Sequence, residues 1–179
     1  MAPQVQFLRN LRDADIMKTY VGWNFMIAFN AWYYSFSPIV AQSITQHPML
    51  QSTMRIVLYP LIAILSVGSA PFSLLPAHSE LAAIISGLLI TSLIGVAYLS
   101  LPLTALSWYN RKHRSILNRV QRILAVVLAV SLAAIAISEA AIIGPLMILS
   151  TVTTALSTLL LSGLITSRAL LRIALRFGR

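Results

Sequence analysis

The chain has 179 residues, 58% of them hydrophobic and only 9% charged, with a net charge of +9 and a mean hydropathy of +0.84. A soluble domain carries about a quarter charged residues, so this composition excludes an ordinary water-facing surface and points to lipid. The absence of cysteine excludes disulfide frameworks, thiolate metal sites, iron–sulfur clusters and thiol nucleophiles.

Residues 1–53 form the first unit. The opening MAPQVQFLRNLRDAD is polar and holds no apolar core of signal-peptide length. Met17–Val40 then carries Tyr20, Trp23, Trp32, Tyr33 and Tyr34, side chains that prefer the headgroup zone, and Asn24 and Asn30 interrupt its apolar run. This predicts an interfacial or re-entrant aromatic-rich helix, with a fifth membrane span as the alternative. Ser37-Pro38 is expected to open a second short helix, Ile39–Gln46. His47-Pro48 is expected to end it, because the residue before proline avoids the helical region.

Residues 54–107 supply a first transmembrane pair, Ile56–Leu75 and Leu81–Ser107, each of a length that crosses a bilayer core. Glu80 stands at the start of the second, where an acid complements the helix dipole. Residues 108–122 form a basic loop. Residues 123–167 are too long for one crossing and break at Gly144-Pro145, which predicts a hairpin of Arg122–Ile142 and Leu146–Ser167. Residues 168–179 are a basic amphipathic tail expected to lie along the membrane surface. The fold class is therefore all-α: an integral membrane bundle of about four transmembrane helices.

All thirteen lysines and arginines fall before the first span, between the second and third, or after the fourth. In a four-span protein these places share one side, so the positive-inside rule predicts a multi-pass protein of the cell membrane with both termini cytoplasmic. Arg111, Lys112 and Arg114 in the loop and Arg168, Arg172 and Arg176 in the tail are the expected contacts to anionic headgroups. Nucleic acid is not an expected partner, since these residues adjoin the spans instead of forming a separate basic domain.

Small or hydroxylated residues recur at every fourth position: Ala83, Gly87, Thr91 and Gly95 in the second span, and Ser150, Thr154, Thr158 and Ser162 in the fourth. Such rows let helix backbones approach closely in lipid, so these eight are the expected helix-packing residues. Lining a permeation path is their other reading. Glu139, the only acid inside an apolar stretch, lies about one turn from the Gly-Pro break, where it reaches water. His47, His78 and His113 are too scattered for a metal site within the chain. No nucleophile motif, acid–base pair or phosphate loop is present, so neither catalysis nor a cofactor is expected.

The segments APQVQFLRNLRD (2–13) and FNAWYYSFSPIVAQSITQHPMLQ (29–51) resemble the C-terminal membrane module of the Cys-Phe-Ile-box (CFI-box) proteins, archaeal type. Matching features run in order through Gln4–Asp13, Tyr33–Ala41, His47–Leu50 and Met54 onward, roughly the first 70 residues. The Cys-Phe-Ile box itself is absent and would lie before Met1. The resemblance implies membrane attachment or sorting. With the composition, it leads to the expectation of a non-catalytic anchor or accessory subunit that packs against other membrane proteins. A small transporter or channel component is the alternative.

Overall fold

The structure of the protein, a computed structural model, describes the backbone of residues 3–109 and 114–177 and the side chains of 3–105 and 118–174. Among the described residues every regular element is helical. Helix α1 (Pro3–Asn10) passes through a π-helical turn (Leu11–Asp15) and a 3₁₀ turn (Ile16–Lys18) into α2 (Tyr20–Gln46). Next come α3 (Pro48–Gly68), α4 (Ala70–Leu74) and α5 (Ser79–Ile94). A π-helical turn (Gly95–Leu99) joins α5 to α6 (Ser100–Tyr109), and α7 (Arg114–Ala141) and α8 (Gly144–Phe177) form the final hairpin.

Four rods are long and apolar enough to cross a membrane: Pro48–Leu74, Ser79–Ala105, Asn118–Ala141 and Gly144–Ala174. This is the pattern of a multi-pass membrane protein. The distribution of burial agrees. Thr19, Asn24, Ser86, Ser131, Ser138, Ser150, Thr154 and Ser157 are buried, whereas Ile56, Val126, Val130, Leu149 and Leu156 are exposed. Water would drive the opposite sorting; in lipid the small polar side chains go inside, where backbones pack closely.

Contacts along the rods give their directions. Gly68 abuts Ile90 and the Tyr98 hydroxyl donates to the Val57 carbonyl, so α3 and the α5–α6 rod are antiparallel. Gly95 packs on Leu159 and Ser162, and Gly163 on Leu99, so α5–α6 and α8 are parallel. Thr154 meets Ser131 and Arg168 meets Gln121, so α7 and α8 are antiparallel. One end of the bundle thus carries Glu80, Glu139 and the 142–143 turn, and the other carries Arg119, Arg122, Arg168 and Arg172. We refer to these as the acidic and basic ends.

Three features depart from the sequence expectations. Helix α2 runs unbroken through Ser37-Pro38. Proline removes one backbone hydrogen bond, a loss that a long helix flanked by neighbours tolerates. The chain turns at His47, as expected of the residue before Pro48, and its extended backbone (φ −126°, ψ 105°) separates α2 from α3. Second, α2 does not lie across the bundle. It begins at the acidic end, beside Glu80, and its 27 residues span roughly 40 Å to the basic end, where α3 starts. The start of α2 and the end of α8 therefore lie at opposite ends of the bundle. Third, the basic tail is not a separate surface element, because α8 is a single helix of 34 residues extending past Ser167 to Phe177.

At the α7–α8 turn, Ile142 adopts the left-handed region (φ 56°). The Ile143 amide closes the helix end by donating to the Ser138 carbonyl (3.1 Å), and the Ser138 hydroxyl donates to the Ile143 carbonyl (2.6 Å). Gly144-Pro145 starts the next helix rather than forming the turn itself, which suits proline at the first helical turn.

Candidate functional site

The acidic end is built around the N-terminus of α2. A helix start leaves four amides without partners, and three of these are accounted for here. Thr19, buried and extended, caps the helix by accepting from the Gly22 amide (3.0 Å) while donating to the Ile16 carbonyl (2.8 Å). The Glu80 carboxylate, sixty residues away, accepts from the amides of Tyr20 (2.6 Å) and Val21 (3.1 Å). Sequence placed Glu80 as a complement to its own helix; the structure shows it clasping a different one, so that negative charge meets the positive end of α2. Val21 then packs with Ile135 and Met147, flanked by Tyr20, Ile84 and Leu132, which ties α2 to α5, α7 and α8. Asn24 is buried, donates to the Tyr20 carbonyl (2.8 Å) and faces Gly144 at the start of α8.

Below this clasp α2 moves out of the bundle. Trp23, Ile27, Trp32, Tyr33 and Tyr34 are exposed, with Tyr34 at 64% and Trp32 at 62%. Phe25, Phe29, Tyr33, Trp32 and Phe36 contact one another along the helix, with ring centroids 4.8–6.0 Å apart. The helix therefore presents a rigid aromatic face outward.

The eight expected packing residues separate in an informative way. Ser150, Thr154 and Thr158 are buried, and Ser162 meets Gly95. On α5, however, Ala83 is half-buried and Gly87 is exposed, with open space where a Cβ would stand. Thr91 returns its hydroxyl to the Gly87 carbonyl (2.7 Å). The buried face of α5 is Ala82 and Ser86. The reason is geometric: residues four apart advance 400° and drift roughly 40° per step. A row of every-fourth residues winds around its helix, so Gly87 and Gly95 differ by roughly 80°. On α8 the same drift carries the row from α7, at Thr154, to α5, at Ser162.

Most hydroxyls in this seam bond to carbonyls of their own helix, as Ser150 and Thr151 do to Met147 and Ser157 to Thr153. One bond crosses between helices: Thr154 donates to Ser131 at 2.8 Å. Ser86, Thr158 and Ser167 are buried with no hydrogen-bond partner among the described residues. The seam works chiefly through small size. Replacing Thr154 by valine is expected to cost about 0.6–1.7 kcal/mol, the range for interhelical hydrogen bonds in membranes. Detergent unfolding of T154V, S131A and the double variant checks this; strictly additive losses would mean that no bond is shared.

At the basic end Arg168 is half-buried and its guanidinium donates to the Gln121 side-chain oxygen, while Arg172 is exposed. Arg111 and Lys112 lie outside the described residues, as do the side chains of Arg114 and Arg176. Among the described residues, no three histidine, aspartate or glutamate side chains gather as metal ligands would.

Sequence reasoning missed Glu80's partner and the role of Thr19. A threonine immediately before the apolar run at Tyr20 was a legible N-cap signal. The Glu80 contact carried no local signal. Comparison with known proteins finds no matching family model, no matching curated protein and no matching solved structure.

Proposed function

We propose that this protein is a non-catalytic integral membrane subunit, an anchor or accessory component, that docks to other membrane proteins through the outer face of α2. The carrying observation is the position of the exposed aromatics. Trp32, Tyr33 and Tyr34 lie roughly 20 Å along α2 from its start, near the middle of a helix spanning roughly 40 Å. Trp and Tyr favour the headgroup layer, where the polar tip reaches water. At mid-depth, exposed to lipid, the Trp32 indole N–H and the Tyr33 hydroxyl would be unsatisfied. A partner helix with polar groups would satisfy them. The implied membrane-attachment role of the CFI-box resemblance points the same way.

Blue-native electrophoresis after mild extraction tests this reading. A larger complex that dissociates on Trp32→Ala and Tyr34→Ala substitution is expected; migration of the native protein as a lone monomer overturns it. The small-transporter alternative draws less support, because most seam hydroxyls are already bonded to their own backbone and Gly95 closes against α8.

In this reading α2 is a fifth crossing, which revises the expectation that both termini are cytoplasmic. The basic end faces the cytoplasm with α8's C-terminus, and residues 3–18 face outward. Only Arg9, Arg12 and Lys18 then lie outside, accompanied by Asp13 and Asp15. Arg12 pairs with Asp13 (2.7 Å), and its guanidinium, by hydrogen bond first and charge second, holds the Asp13 carboxyl below its ordinary range. The outer segment thus keeps little net charge, as the positive-inside rule requires. Single cysteines test the topology in a chain that has none of its own. Gln4→Cys, Ala77→Cys and Ala141→Cys are expected to label from outside, and Ser115→Cys only after permeabilisation. Labelling of Gln4→Cys together with Ser115→Cys would return α2 to an interfacial helix.

A further inference from the structure

A groove of about 480 Å³ opens at the basic end between α7 and α8, lined by Asn118, Gln121, Arg122, Ala125, Leu161 and Ile165. Its lining changes character along its length. Arg122, Asn118 and Gln121 form a cationic, hydrogen-bonding mouth. Ala125, Leu161 and Ile165 continue it as an apolar wall toward the middle of the bundle. A second observation concerns charge balance. The protein has four acidic residues, Asp13, Asp15, Glu80 and Glu139, and among the described residues the one ion pair is Arg12–Asp13, so none of the four pairs with an arginine of the basic end. Arg168, half-buried beside the groove, therefore has a neutral amide, Gln121, as its acceptor. Among the described residues, Arg119, Arg122, Arg168 and Arg172 form no ion pair.

We propose that this groove holds one anionic phospholipid, with its headgroup phosphate at Arg122, Asn118 and Gln121 and an acyl chain along Ala125, Leu161 and Ile165. A guanidinium is weakly hydrated, and its fork matches two oxygens of a phosphate. The apolar wall distinguishes a seated lipid from the diffuse attraction that any basic surface exerts on an anionic leaflet. The site needs only that the basic end reach a headgroup layer; cysteine labelling decides independently which leaflet that is.

Native mass spectrometry of the full, delipidated protein titrated with phosphatidylglycerol or phosphatidylcholine tests the proposal. One phosphatidylglycerol is expected to bind before any phosphatidylcholine. Arg122→Gln is expected to weaken it about fivefold, the effect of one basic residue near a lipid surface. Ala125→Trp, which leaves the charge intact and fills the wall, is expected to weaken it at least as much. Arg9→Gln, at the other end, is expected to leave it unchanged. Three results would overturn the site: equal retention of phosphatidylcholine, displacement by equimolar inorganic phosphate, or unaltered binding in both Arg122→Gln and Ala125→Trp.

Discussion

Replacing Glu80 by alanine is expected to lower stability by about 2–4 kcal/mol and to release residues 3–18 from the bundle. Two amides, of Tyr20 and Val21, lose a charged acceptor at once. Hydrogen bonds to charged groups contribute about 1.5–3 kcal/mol each, and the expected loss falls around or below the low end of their sum because Glu80 is partly exposed. Val21 itself is buried, so its amide cannot recover the loss from water. Glu80→Gln keeps one acceptor oxygen without the charge and is expected to retain about half of the stabilisation. Glu139 is the control: it is exposed, and its replacement is expected to change stability by less than about 0.5 kcal/mol. Thermal unfolding in detergent and tryptic cleavage after Lys18 report the two effects separately. Equal midpoints for Glu80→Ala and Glu139→Ala would remove the clasp from the account.

The contrast between these two acids shows where the sequence was readable. Hydropathy located all four rods, because the requirement that an apolar stretch match the bilayer is strictly local, but the first rod begins at Pro48 instead of Ile56 and the fourth runs on to Ala174 instead of ending at Ser167. The expected Leu81–Ser107 became Ser79–Ala105, and the break expected at Gly144-Pro145 became a turn at 142–143. Pair contacts behave differently. Glu139 stands within an apolar run but about one turn from the Gly-Pro break, and it is exposed near a helix end as that position leads one to expect. Glu80 sat in a short polar loop and gave no hint of an amide pair sixty residues away. The course of α2 was hidden for a related reason. Two asparagines and a proline weaken its local pattern, while its position is set by Glu80, Thr19 and the packing of Val21 and Met26. The aromatic segment was legible as an aromatic-rich helix; its course alongside the bundle followed only once both ends of the helix were located.

Gly95 and Gly87 carry the second large effect, and they test the geometry of the seam. Both belong to one four-residue row, and from sequence they are equivalent. A methyl group at Gly95 would meet the Leu159 carbonyl and the Ser162 hydroxyl of α8. The serine can rotate away, but the carbonyl is backbone and can move only with the helix. Gly163 faces the same contact from the other side, its Cβ position lying 3.1 Å from the Gly95 carbonyl and 2.9 Å from the Leu99 Cβ. Gly95→Ala is therefore expected to cost about 1–3 kcal/mol, and Gly95→Leu more, since α8 must separate from the α5–α6 rod. Gly87→Ala enters open space and relieves the entropy of a helical glycine, so it is expected to be neutral or to stabilise by up to about 1 kcal/mol. Unfolding of both variants under one set of detergent conditions decides the matter. A loss at Gly87 equal to that at Gly95 would mean that the row packs as a straight face. Opposite signs would mean that it winds, as 3.6 residues per turn requires, and that the tight crossing of α5–α6 on α8 rests on Gly95 and Gly163.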